Sequence, residues 1–196
     1  QLQLVVYLNA AVEIEQREHP EKRVEPAGIF YYQVKDPLAE GSLGDSPEEI
    51  SGKILSLLRP SGLVRGDSQV IATLDRDLAA GRVKKSAVIP AACNKDGSLS
   101  RTSSAATREQ FAVLSSYVNR KIRSIGRKIL DGNVEINPYQ MRKRTACDFC
   151  QYRGICGFDE RIPGYHFRNL AALEGEEIWR RMAGEKEDGD DDGKET

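Results

Sequence analysis

Three of the four cysteines in this chain fall within ten residues, as Cys147-Asp148-Phe149-Cys150 and then Cys156 after Gln151-Tyr152-Arg153-Gly154-Ile155. Two thiolates separated by two residues can point at one centre, because the backbone between them forms a tight knuckle with its amides turned toward the sulfurs. A third thiolate five residues further on reaches the same centre, and Gly154 eases the bend. Phe149, Tyr152 and Phe158 stand where they would shield such a centre from water and protect a cluster from oxidation. Three local thiolates are one short of a closed four-ligand site. The fourth ligand must come from elsewhere, and within this chain the candidates are Cys93, His166 and His19. Spacing alone leaves both an iron–sulfur cluster and zinc open, although a zinc site usually supplies its second ligand pair within roughly 12 to 20 residues. No second Cys or His pair follows here. Ordinary free thiols are the bland alternative, which such crowding disfavours.

The basic residues come next. Lys and Arg total 29 against 30 Asp and Glu, a formal net charge of −1, so nothing draws the whole chain to a polyanion and any such partner must meet local patches. Arg142-Lys143-Arg144, directly before the cysteines, is the candidate nucleic-acid contact. Arg120, Lys121, Arg123, Arg127 and Lys128 share a helix face, whose commoner meaning is a solvated surface. His19, before a proline, and His166, after an aromatic loop, read as structural or solvated rather than as ligands.

These residues need a scaffold. At 196 residues the chain suits one domain with polar extensions. No apolar run approaches the roughly 20 residues needed to span a bilayer, no secretory signal opens the chain, and clustered cysteines suit a reducing compartment, so a cytoplasmic location is expected. The start, Gln1-Leu2-Gln3-Leu4-Val5-Val6-Tyr7, has no initiator Met and no capping residue ahead of it, and reads as the interior of a longer protein.

The elements are expected as follows. Leu2 to Glu18 forms a helix stopped by His19-Pro20. Val24 to Val34 is a strand entered after Pro26. Ser46-Pro47-Glu48-Glu49 opens a helix to Leu58. A second helix covers Gln69 to Ala80, and Ser86 to Ala92 is a small strand before the turn Asn94-Lys95-Asp96-Gly97. Ser98 to Ala106 reads as loop. Phe111, Leu114, Val118, Ile122, Ile125 and Ile129 recur at helical spacing, which predicts an amphipathic helix over Thr107 to Leu130 with a capping box at Thr107 and Gln110 and a C-cap at Gly132. Asn133 to Pro138 is a short strand. From 174 to 196 the composition turns acidic and Gly-rich, with too little apolar surface to offset ordering, so a disordered tail is predicted.

With these residues in place the chain resembles a known family. Gly132-Asn133-Val134-Glu135-Ile136-Asn137-Pro138-Tyr139 and the stretch from Cys147 to Phe158 look like the C-terminal end of RecB-like nucleases that carry a cluster. Pro-Ala-Gly-Ile-Phe-Tyr-Tyr at 26–32 and Lys95-Asp96-Gly97-Ser98-Leu99 resemble the B subunit of AddAB-type helicase–nucleases in particular. The resemblance implies an α/β fold, the C-terminal part of a PD-(D/E)XK (restriction-endonuclease-like) nuclease domain over residues 1–173, with the cluster segment at 147–156. It implies a [4Fe–4S] centre whose last three ligands are Cys147, Cys150 and Cys156 and whose first lies far upstream, leaving Cys93 a bystander. Gln3 and Tyr7 match the family's accessory motif, Gln-x3-Tyr on the helix after the catalytic strand, and a spacing of four puts both on one helix face.

The resemblance further implies Mg2+-dependent phosphodiester hydrolysis at double-strand DNA ends, ATP used by the full subunit or complex, and an A subunit as partner, with no membrane role. The acidic pair and lysine of that nuclease class are expected ahead of Gln3, and no phosphate-binding loop is present, so this stretch alone is expected to be inactive. Two function classes therefore stand: a part of an ATP-dependent DNA-end nuclease with a structural cluster, or a zinc-bound, non-enzymatic nucleic-acid-binding module.

Overall fold

Caps and prolines set most of the helix ends in the computed structural model, which describes residues 2–34, 36–42 and 44–184. The first helix, α1 (Leu2–Glu18), ends before His19-Pro20 as expected. Gln16 then ties down the turn that follows: its amide donates to the carbonyls of His19 and Lys22, and its oxygen accepts from the Val24 amide. Helix α2 (Pro47–Leu58) opens with the complete capping box, Ser46 Oγ accepting from the Glu49 amide and Glu49 accepting from the Ser46 amide. The single helix expected over 69–80 is instead two, α3 (Ser68–Leu74) and α4 (Arg76–Ala79). Asp75 causes the break. It adopts an extended backbone, and its carboxylate accepts the amides of Asp77 and Leu78 that would otherwise be orphaned at the start of α4.

The chain divides into two compact units, residues 1–118 and 119–196. In the first, β1 (Gly28–Tyr31) pairs antiparallel with β2 (Ser61–Arg65), which pairs in parallel with β3 (Ala105–Ala106). The strand expected over 24–34 is thus real but shorter. Two strands replace what read as connection or loop. In β2, Gly62 sits at φ 143° with an ideal Cβ only 2.0 Å from the Ile29 carbonyl oxygen, so this close strand pairing requires glycine. The strand expected at Ser86 to Ala92 is reduced to an isolated bridge between Lys85 and Ala92. Ser86 Oγ captures the Val88 and Ile89 amides, and Pro90 has no amide to give a ladder. The turn at Asn94 to Gly97 forms as expected, with Gly97 at φ 81° and a Cys93–Leu99 bridge below it.

The core of this unit is Val64, Ile71, Leu78, Ile89 and Ala91, with Phe30, Leu74, Cys93, Leu99 and Ala105 packed around it. Burying each large aliphatic side chain contributes roughly 1.5 to 3 kcal/mol. Helix α5 (Arg108–Leu130) is capped as predicted, Thr107 Oγ1 accepting from the Gln110 amide and Gln110 from the Thr107 amide. Phe111 and Val118 on its first half are buried.

In the second unit the same helix continues with Ile122, Ile125 and Ile129 exposed, so one periodic stripe has two fates. Gly132, at φ 69°, ends it as predicted. The strand expected at Asn133 to Pro138 does not form: Asn133 Oδ1 takes the Glu135 amide locally, and the ladder starts one residue later. There β4 (Tyr139–Met141) lies between β5 (Arg144–Thr145), antiparallel, and β6 (Arg168–Asn169), parallel. Between them the short α6 (Arg153–Cys156) carries the last cysteine.

The tail expected to be disordered from 174 holds an eight-residue helix, α7 (Glu176–Ala183). Glu176 and Glu177 at its start and Arg180 and Arg181 at its end complement the helix dipole, Arg181 pairs with Glu177 at 3.0 Å, and Arg120 donates to the Met182 carbonyl. Composition averaged over the tail hid this local pattern; the remainder of the tail lies outside the described residues. No helix among the described residues is long and apolar enough to cross a membrane.

Candidate functional site

Gln3 and Tyr7 meet on the exposed face of α1, where the Gln3 amide donates to the Tyr7 hydroxyl at 2.7 Å. Val5, on the opposite face, is buried and anchors the helix. The pair is therefore presented rather than packed away. An amide and a phenol joined at helical spacing leave the amide oxygen and the phenolic proton available to a water or a phosphate oxygen.

The basic run forms a hairpin tip. Met141 and Arg144 are the last paired residues, so Arg142 and Lys143 make the two-residue turn, exposed to solvent. Arg142 takes φ 56°, a conformation that favours Gly or Asn, and the Gln140 side chain bonds its carbonyl at 3.3 Å. Arg144 and Thr145 then run straight into Cys147. A positively charged tip is thus joined to the cysteine knuckle by three residues.

The knuckle itself is built by Thr145 and Asp148. Thr145 Oγ1 donates to the Asp148 carboxylate at 2.6 Å and accepts from the Cys147 amide at 3.2 Å, while the Thr145 amide donates to Asp148 at 3.0 Å. The Thr145 hydroxyl, then its amide, hold the Asp148 carboxyl below its ordinary range. The Cys150 amide closes the turn on the Cys147 carbonyl at 3.4 Å, and the Cys156 amide bonds the Tyr152 carbonyl before Gly157 turns left-handed. All four cysteines are free thiols, Cys150 exposed and the others half-buried. Burial pushes the Cys147 thiol up, and the neighbouring Cys150 and Cys156 push it further.

One expectation about this centre changes. Phe149 is 98% exposed and Tyr152 67%, so neither shields the thiols. Only Phe158 is packed, against Tyr165 and Phe167 at 5.7 and 4.8 Å between ring centres. Of the alternative ligands, His166 is exposed, His19 lies between Glu15 and Glu21, and Cys93 packs against the core of the first unit. Among the described residues no three His, Cys, Asp or Glu side chains are arranged as a ready metal site. The donor chemistry nonetheless suits a thiophilic centre, since Cys150 and Cys156 stand close enough to Cys147 to disfavour its ionisation, a penalty that a cation relieves.

One feature of the first unit escaped the sequence altogether: Arg23, Arg65 and Arg108 converge on Glu25. These residues lie up to 85 positions apart, and no spacing rule connects them.

The sequence profile of the PD-(D/E)XK nuclease superfamily matches residues 1–157, and the chain belongs to that superfamily. It is 35% identical over 191 residues to the B subunit of the ATP-dependent helicase/deoxyribonuclease of Thermoanaerobacter sp. (strain X514), covering 97% of this chain and 16% of that protein. The B subunit of the corresponding enzyme from Clostridioides difficile (strain 630) is 38% identical over 185 residues, 94% of this chain and 16% of the relative. That of Clostridium acetobutylicum is 36% identical over 195 residues, 99% of this chain and 16% of the relative. The chain thus spans about a sixth of the length of the relatives it matches.

Proposed function

We propose that this chain is the C-terminal part of the nuclease domain in the B subunit of a helicase/deoxyribonuclease, working with an A subunit on double-strand DNA ends. The observation that carries the reading is the alignment of nearly the whole chain, 97% of it, with proteins of that name. In this reading the catalytic carboxylates and lysine belong to a part of the protein outside residues 1–196, and divalent metal such as Mg2+ is held there. Gln3 and Tyr7 orient the attacking water or the scissile phosphate from α1. Arg142, Lys143 and Arg144 take DNA phosphates at the hairpin tip, and the strained turn at Arg142 holds its side chain outward for that purpose. ATP is used by the full subunit or its complex.

Cys147, Cys150 and Cys156 hold three corners of a [4Fe–4S] cluster, the fourth ligand coming from a distant segment of the subunit. When bound, the cluster supplies a covalent tie between segments far apart in sequence rather than electrons. Thr145 and Asp148 fix the first two thiols on one turn for this role.

The full-length subunit with its partner tests the proposal. Given ATP and Mg2+, it should degrade linear duplex DNA, and the purified protein should be brown and contain about four irons, the number set by the cluster type. A colourless protein holding zinc that binds DNA without cutting it would replace this reading with the non-enzymatic module.

A further inference from the structure

Glu25 is shared by three guanidinium groups. Its Oε1 lies 2.9 Å from Arg23 Nε and 2.6 Å from Arg108 Nη2 as ion pairs, and its Oε2 accepts from Arg65 Nη1 at 2.8 Å. The residues come from three places: the segment between α1 and β1, the end of β2, and the first residue of α5. One carboxylate balances one guanidinium, so the cluster keeps two positive charges.

A structural role accounts for only one of the three. Arg65, with 16% of its side chain exposed, pins the segment before β1 to β2, and its backbone amide bonds the Ala27 carbonyl across the same junction. Its Nε is buried without a hydrogen-bond partner, as expected where positive groups crowd a single acceptor. Arg108 and Arg23, 43% and 75% exposed, add like charge to a carboxylate already paired. Exposed ion pairs of this kind contribute little to stability and bring mutual repulsion here. Each of the two brings one nitrogen of its planar guanidinium into ion-pair distance of Glu25, and the five-donor fork is a shape suited to a tetrahedral oxyanion.

We propose that Arg23, Arg65 and Arg108 around Glu25 form a binding site for a backbone phosphate of DNA. Resting on the nuclease reading above, this adds a second anchoring point for the substrate strand away from the reacting position. Gln16 ties the Arg23 segment to the end of α1, thirteen residues from Gln3. At the rise of an α-helix that separation is about 20 Å, or about six nucleotides of one strand. The phosphate approaches from the side of Arg23 and Arg108, and Glu25 weakens the grip, which suits a contact that must let DNA move.

The test measures binding of a short blunt-ended DNA duplex to the full-length subunit in its complex, by anisotropy over a series of salt concentrations. The paired change Arg23→Ala with Arg108→Ala should weaken binding roughly tenfold and reduce the slope of log K against log salt by about one. Glu25→Gln, which keeps the shape and removes the negative charge, should tighten binding. Unchanged affinity and slope in the paired variant overturn the site. So does weaker binding with an unchanged slope, which marks damage to the fold. Competition by inorganic phosphate beyond that of chloride at equal ionic strength assigns the cluster to free phosphate, and also overturns the proposal. Failure of the unaltered complex to bind the duplex at all sinks the nuclease reading instead, so the two failures are distinguishable.

Discussion

The nine buried aliphatic and aromatic residues among those described, from Val5 to Val118, lie in the first unit, whereas the second, from Asn119 onward, contributes none. The first unit is a three-stranded sheet over an aliphatic core, the arrangement by which a chain normally offsets its conformational entropy. The second is held by short ladders, capping bonds and the Thr145–Asp148 turn, with Ile122, Ile125, Ile129, Leu130 and Val134 all exposed. Hydrogen bonds of this kind contribute about 0.5 to 1.5 kcal/mol each, too little to order such a region without help. On the reading proposed above, the three thiols stand in the part that lacks a core because a bound metal centre would take the place of burial there.

Breaking that substitute should have the largest effect. In the intact subunit, Cys147→Ala, Cys150→Ala or Cys156→Ala is expected to abolish iron retention and to raise hydrogen exchange throughout 119–184, while Cys93→Ala keeps the metal. Full iron content in any of the first three would remove the assignment, and a loss in Cys93→Ala would move the fourth ligand into this chain.

The first unit should respond to core damage instead. Leu78 is 1% exposed at the centre of the cluster, so Leu78→Ala is expected to cost about 2 to 5 kcal/mol by denaturant titration, with iron content unchanged. A cost below about 1 kcal/mol would show that this core is not the source of the unit's stability.

How much of this was legible beforehand follows the same division. Helices α1, α2 and α5 could be read to within a residue or two, because proline, capping boxes and hydrophobic period are local signals. Strands β2 and β3 could not, since each is short and exists only through its neighbour. Asp75 broke an expected helix because its carboxylate satisfies the next helix's amides, a competition that periodicity ignores. Burial alone would raise the Asp75 carboxyl, yet the Ser86 hydroxyl and the Leu78 and Asp77 amides bring it below its ordinary value. The Cys147, Cys150 and Cys156 spacing was plain, but the exposure of Phe149 and Tyr152 depends on packing that no pattern encodes. The arginines around Glu25 were invisible for the same reason.

The Gln3–Tyr7 pair on α1 offers a finer comparison. Because Val5 anchors the helix from its other face, Gln3→Ala should leave stability within about 0.5 kcal/mol of the parent while lowering the DNA cleavage rate roughly tenfold or more. In the second unit, by contrast, the proposed ligands Cys147, Cys150 and Cys156 would serve function and fold together, so changing them should loosen the fold. A cleavage rate equal to the parent's in Gln3→Ala would reduce the Gln3–Tyr7 bond to a helix-surface contact.

The smallest effect concerns a single exposed pair in the second unit. Asp159 accepts from Arg161 Nε, Nη2 and backbone amide, and these bonds, the side-chain ones first, lower its carboxyl to about 2. An unperturbed Asp titrates at about 3.9. The folded value is depressed, so whatever the pair contributes is present in full above about 3.9 and disappears as pH falls through about 2. The pair lies in the segment that carries the Phe158, Tyr165 and Phe167 rings, aromatic residues that pepsin attacks when they are released. In the full-length subunit, Arg161→Ala should therefore speed pepsin cleavage between residues 157 and 168 modestly at a pH near 4, and the difference from the parent should vanish near pH 2. Cleavage within the core segments of the first unit should not change in either condition. A difference that persists undiminished near pH 2 would mean that Arg161 acts through packing rather than through the Asp159 carboxylate, and the account of the second unit as a region held by local polar bonds would lose one of its supports.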